Sequence, residues 1–168
     1  NQVLVYDIAA GFKLKTTLNK HQAGVTHFDF SADSAYIRSN CLERELHYFK
    51  ADSGEYMATG GAELKDEEWD TSNCEYSWGT KGLWTGVDNA RTEANAVDVS
   101  PDGKLLAVVD ESGYLQIFKN PCVDEGAAAI SKAGHTKHCT NVKFSCDGKR
   151  VFTVGGDDNC LFAWKVTR

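Results

Sequence analysis

The sequence predicts an all-β chain, a β-propeller fragment of about three to four four-stranded antiparallel blades. Three observations carry that reading. Residues 28–49, 97–118 and 142–164 can be laid on one another. Each begins apolar-x-apolar-Ser-x-Asp or a close variant of it, continues through a short apolar run and a polar turn, and closes with an alternating strand that ends in an aromatic. The distance from the Ser to that aromatic is nearly constant, from Ser31 to Phe49, Ser100 to Phe118 and Ser145 to Trp164. Ser100 and Ser145 are 45 residues apart, within the period of roughly 40–45 residues that marks four-stranded propeller blades.

Composition limits the function classes. A chain of 168 residues with 42% hydrophobic and 25% charged content has the make-up of a globular domain. Its net charge of −6 and lack of Lys/Arg clusters argue against a nucleic-acid partner. Apolar runs such as residues 104–110 are strand length, far short of the ~20 residues that cross a bilayer, so no membrane association is expected. The first residue, Asn1, lies in a strand-like segment without an initiator Met or a signal-peptide pattern, and a piece of a longer protein is expected. Six cysteines (Cys41, Cys74, Cys122, Cys139, Cys146, Cys160) form no CxxC pair and no dense framework. They read as small apolar residues of a reducing, intracellular compartment.

In chain order, residues 1–18 read as the end of a preceding blade. Residues 3–7 alternate as an inner strand, and residues 12–18 alternate as an outer edge strand. Residues 21–59 form the next blade, with strands at 25–30, 35–39 and 45–49 and an outward turn at Asp52-Ser53-Gly54. Residues 60–92 interrupt the period, because Ser31 and Ser100 are 69 residues apart. This insert carries Trp69, Tyr76, Trp78 and Trp84, and rings that large favour an ordered segment docked on a blade. Residues 93–131 form a further blade, with strands at 94–99, 105–109 and 114–118, a Pro101-Asp102-Gly103 turn, and an outer strand reaching Ile130. Residues 134–168 form the last blade, with strands at 140–144, 151–154 and 161–164.

Gly134-His135, the Ser145-to-Gly148 turn, Gly155-Gly156-Asp157-Asp158-Asn159 and the closing Leu161-Phe162-Ala163-Trp164 resemble a WD repeat. That resemblance implies a hydrogen-bonded set of His135, Asp158 and Trp164 with a hydroxyl on the second strand. Val154 stands at the position read for that hydroxyl, so the set is expected to be incomplete. In the middle unit Ser112 takes the position of the turn acid and Phe118 that of the Trp.

A narrower resemblance spans nearly the whole chain. The order of residues 21–30, Ser31 to Asn40, Glu45 to Phe49, a Trp-rich insert ending Gly82-Leu83-Trp84, and an exit Phe118-Lys119-Asn120-Pro121-Cys122 is similar to the C-terminal blades of the echinoderm microtubule-associated protein-like (EMAP-like) family. The resemblance implies a non-catalytic scaffold in the cytoplasm and on the cytoskeleton. Its expected partners are tubulin or microtubules and the remaining blades of the same parent chain. The other reading is a generic WD-repeat adaptor for signalling or trafficking complexes.

Chemistry-bearing motifs are sparse. His135, His138 and Cys139 could ligate a metal, but no second clustered pair accompanies them, so they read as structural and no metal or cofactor is expected. Residues 98–103 lack the alternating ligands and terminal Glu of a calcium loop and read as a turn. Acid pairs such as Asp157-Asp158 read as a turn and a solvated face. There is no Gly-x-Ser-x-Gly elbow and no phosphate-binding loop, and no catalytic residue is expected. Trp69, Tyr76, Trp78 and Trp84 are either extra core or a partner-binding ledge.

Overall fold

A computed structural model describes residues 1–83 and 94–167. Among the described residues there are twelve strands, and every pairing between them is antiparallel. The chain divides into two units, Asn1–Trp78 and Gly79–Arg168.

In the first unit, β1 (Val3–Asp7) pairs with β2 (Lys13–Leu18). A second sheet has the order β3 (Val25–Phe30), β4 (Tyr36–Cys41), β5 (Leu46–Lys50). Leu18, Ile37, Phe49 and Ala51 form a core between these sheets, with Val3 and Val5 against it. After β5 the chain continues the sheet only through an isolated bridge between Phe49 and Tyr56. It then enters α1 (Gly60–Glu63). Gly60 allows this close approach, since a Cβ there would lie 2.5 Å from Cβ of Tyr48.

In the second unit, β6 (Ala94–Val99), β7 (Leu105–Asp110), β8 (Tyr114–Lys119) and β9 (Ile130–Ala133) form a four-stranded sheet in sequence order. The strands β10 (Cys139–Phe144), β11 (Arg150–Gly155) and β12 (Leu161–Lys165) form a three-stranded one. Ala107, Val109, Leu115, Val142 and Val151 are buried together where the two sheets meet, with Trp164 packed at their margin. The opposite face of the four-stranded sheet is filled by Val97, Leu106, Phe118 and Cys122.

Two expectations need correction. Among the described residues one sheet has four strands, and in the β3–β5 sheet the expected outer strand shrinks to a bridge before the chain turns into α1. The outer strand expected to end near Ile130 begins there instead. Residues 124–127 close a turn, with the Ala127 N–H donating to the Asp124 carbonyl, and Gly126 adopts φ +70°. Pairing therefore starts at Ile117 with Ile130.

The shared Ser-x-Asp element has one geometry in all three repeats. Ser31, Ser100 and Ser145 each donate to the Asp two residues on at 2.6 Å. Each accepts from the backbone N–H five residues on at 2.9 Å. These are side-chain-closed turns, which local Ser and Asp side chains favour. They fix the start of the second strand in each sheet. The inner strands β3, β6 and β10 also share a register shift near their start, between Val25 and His27, Ala94 and Ala96, and Cys139 and Asn141.

Candidate functional site

Residues 68–76 of the insert lie against the β3–β5 sheet, whereas residues 79–83 belong to the second unit, where the Gly82 N–H donates to the Cys122 carbonyl. The anchor of residues 68–76 is Asp29, the last residue but one of β3, which is buried. The carboxylate accepts from the Thr71 hydroxyl at 2.6 Å, the Asn73 N–H at 2.7 Å and the Cys74 N–H at 3.0 Å. Arg38 Nε on the adjacent strand donates to it at 2.9 Å. Burial by itself pushes this carboxyl up, but the Arg38 guanidinium, the Thr71 hydroxyl and the two N–H groups outweigh burial and hold it below the usual carboxylate range. Farther along, Tyr76 N–H donates to Asn40 Oδ1.

Asp98 holds the corresponding position in β6, two residues before its repeat Ser. It accepts from Lys143 Nζ at 2.8 Å and from the Phe144 N–H at 2.7 Å, both on β10 of the neighbouring sheet. The same inner-strand Asp thus joins sheet to sheet in the second unit and insert to sheet in the first.

The aromatic residues of the insert differ in exposure. Trp69 is half-buried, with the Arg38 guanidinium 4.3 Å from its ring centroid and the Tyr48 ring 6.1 Å away. Tyr76 is half-buried, whereas Trp78 is 42% exposed with Lys65 Nζ 5.0 Å over its ring. Trp84 lies outside the described residues.

The WD-type set lies in the last sheet. His135 Nδ1 is 2.9 Å from Asp158 Oδ2, and His135 Nε2 is 2.8 Å from Thr153 Oγ1. Trp164 Nε1 donates to the same hydroxyl at 2.9 Å. The hydroxyl comes from Thr153, so the expected gap at Val154 is corrected. Strand alternation turns Thr153 inward and leaves Val154 exposed. Gly134 fits beneath the Trp164 indole, which a Cβ there would strike. In the middle unit the turn acid is Asp110, which accepts from the Ser112 and Tyr114 N–H groups and from Gln116 Nε2. Ser112 is a donor to that acid and does not stand in for it.

His138 faces Glu111 at 3.4 Å on the surface, whereas Cys139 is buried and its thiol is pushed up to about 11 by burial. With His135 committed to Asp158 and Thr153, these three side chains do not converge. A different trio does. His21 Nδ1 and His47 Nε2 each lie 3.4 Å from Glu45 Oε2 in the first unit. Sequence reasoning missed this grouping, although His21 precedes Ser39 by the 18 residues that separate His135 from Thr153.

Comparison with known proteins places this geometry. A family model described as the echinoderm microtubule-associated protein second beta-propeller matches residues 1–166. The chain belongs to this family. Echinoderm microtubule-associated protein-like 2 of Homo sapiens is 34% identical over 170 residues, covering 99% of this chain and 26% of that protein. Echinoderm microtubule-associated protein-like 4 of Homo sapiens is 31% identical over 147 residues, 87% of this chain and 15% of that protein. The ciliary WD repeat-containing protein ctxp80 of Euplotoides octocarinatus is 30% identical over 166 residues, 98% of this chain and 23% of that protein. The chain therefore spans about a quarter or less of the length of these relatives. As a segment of the second EMAP-like propeller it carries the insert within the matched region. No helix among the described residues is long and apolar enough to cross a membrane.

Proposed function

We propose that this chain is a non-catalytic part of a protein-interaction scaffold, contributing propeller surface through which a cytoplasmic EMAP-like protein engages tubulin or microtubules. The observation that carries the reading is the family match over residues 1–166. The names of the relatives supply the microtubule association. Within the chain, the insert supplies the surface. Asp29 fixes its backbone, Trp69 and Tyr76 are held against the sheet, and Trp78 stays open beside Lys65. A rigid aromatic with a neighbouring cation suits an interface anchor on an acidic protein partner, since Trp concentrates binding energy when it is desolvated on contact.

Co-sedimentation of the full parent protein with microtubules tests the proposal. Pelleting of the wild type is expected, and Trp78→Ala is expected to weaken it at least about tenfold, the scale of a central aromatic anchor. A parent protein that stays in the supernatant and does not bind free tubulin would overturn the reading. Affinity capture that returned one signalling complex and no cytoskeletal protein would favour the adaptor role instead.

A further inference from the structure

The β3–β5 sheet and the β10–β12 sheet use the same plan at their second strand. Ser39 on β4 faces His21 at 2.7 Å and pairs with His47 on β5. Thr153 on β11 faces His135 at 2.8 Å and pairs with Phe162 on β12. In both sheets the paired ring sits 4.6 Å from the histidine ring. A phenyl group therefore fills this position in one sheet, and His47 fills it in the other with added nitrogens.

Two buried ring nitrogens here face one shared carboxylate at long range. His21 Nδ1 and His47 Nε2 are both inaccessible and make no hydrogen bond. The His21 side chain is 0% exposed. A buried polar atom short of a hydrogen bond is destabilising, so two at one point call for a shared partner. Both face Glu45 Oε2 at 3.4 Å, and the three ligand atoms all lie within 4.8 Å of one another. Ligands on a tetrahedral ion with bonds of about 2.0–2.1 Å stand about 3.3–3.4 Å apart. Two edges of the trio have that length.

We propose that His21 Nδ1, Glu45 Oε2 and His47 Nε2 form a binding site for a divalent transition metal, with Zn²⁺ the best match. Two imidazoles and a carboxylate are a borderline-soft set of that kind. Outer contacts orient the ligands as metal sites require. Ser39 Oγ engages Nε2 of His21 and directs Nδ1 inward, and the Cys41 thiol donates to Glu45 Oε2 at 3.2 Å. The Glu45 side chain is 30% exposed, which leaves the fourth position to water. The bound ion ties the segment before β3 to β5 and to the turn between β4 and β5. It closes the sheet at the end where Asp158 acts in the other one.

The test compares Zn²⁺ content and affinity in the full chain, purified without a histidine tag, and in His47→Phe and Glu45→Gln. The first variant restores the ring pairing of the β10–β12 sheet and so keeps the fold. After dialysis against weak chelator, elemental analysis is expected to find one more equivalent of Zn²⁺ in the wild type than in His47→Phe. Added Zn²⁺ is expected to raise the melting temperature of the wild type only, and Co²⁺ to give visible ligand-field bands that both variants lose. His138→Ala, at the surface pair with Glu111, is expected to behave as wild type. Equal metal content in wild type and His47→Phe, or Co²⁺ bands that survive in both variants, would overturn the site.

Discussion

At Thr153 one hydroxyl oxygen serves two rings, because Trp164 Nε1 donates to it and His135 Nε2 lies within hydrogen-bonding distance. Thr153 is completely buried and His135 is buried beside it. Thr153→Val keeps the shape and removes the oxygen. The expected loss is about 2 kcal/mol, the desolvation penalty of buried polar atoms left without a partner. Thr153→Ser retains the oxygen and should lose less, through the missing methyl alone. Urea midpoints of the two variants check the order, and equal midpoints would show that the hydroxyl is dispensable. Ser100 is a second residue-scale test. Its hydroxyl bridges Asp102 and the Leu105 N–H, and Ser100→Ala is expected to lower stability by about 1 kcal/mol.

At the scale of elements, the insert depends on one buried carboxylate. Asp29→Asn leaves Arg38 as a buried charge without its ion-pair partner and weakens the acceptor for the Thr71 hydroxyl and the Asn73 and Cys74 N–H groups. Breaking a buried pair in this way costs about 3 kcal/mol. Acrylamide quenching should then reach Trp69 more readily than in the wild type. The pH dependence has a definite sign. The folded-state pKa of Asp29 is depressed, so its contribution is fully present above the unfolded value of about 3.9 and is lost as pH falls through the folded value. Acid titration followed by Trp fluorescence should show this loss in the wild type, and Asp29→Asn should lack that component. How much was legible in the sequence follows from the same elements. The Ser-x-Asp turns were legible because the interaction is local, within five residues. The inner-strand Asp was visible in Phe28-Asp29-Phe30 and Val97-Asp98-Val99, but its partners lie some 45 residues away and no local pattern names them. Thr153 was misplaced by one residue, which in a strand exchanges the inward and outward faces. The His21, Glu45 and His47 grouping needed the β4–β5 pairing and the turn length, neither of which periodicity fixes.

For the whole molecule, the decisive feature is apolar surface and open strand edges left on the sheets. Ile8, Phe12, Leu42, Ile130 and Leu161 are strongly exposed, and Phe28 and Phe30 form an exposed edge-to-face pair. Three of the four sheets have fewer than four strands among the described residues. Residues 55–57 cover part of the β5 edge, whereas β2 and β12 end their sheets and offer backbone groups for further pairing. Such edges are templates for association unless something covers them. The net charge of −6 opposes association. At physiological ionic strength, however, exposed charges are screened beyond about 8 Å, whereas strand pairing and apolar contact act at van der Waals range. Contact terms therefore dominate once two copies meet. Residues 1–168 produced alone are expected to elute as dimers or larger species at micromolar concentration, with apparent mass rising with concentration. A parent chain long enough to surround these sheets with further blades is expected to lose that dependence. Light scattering across a concentration series separates the two, and a strictly monomeric 1–168 would show that the exposed edges are protected by their own twist and charge.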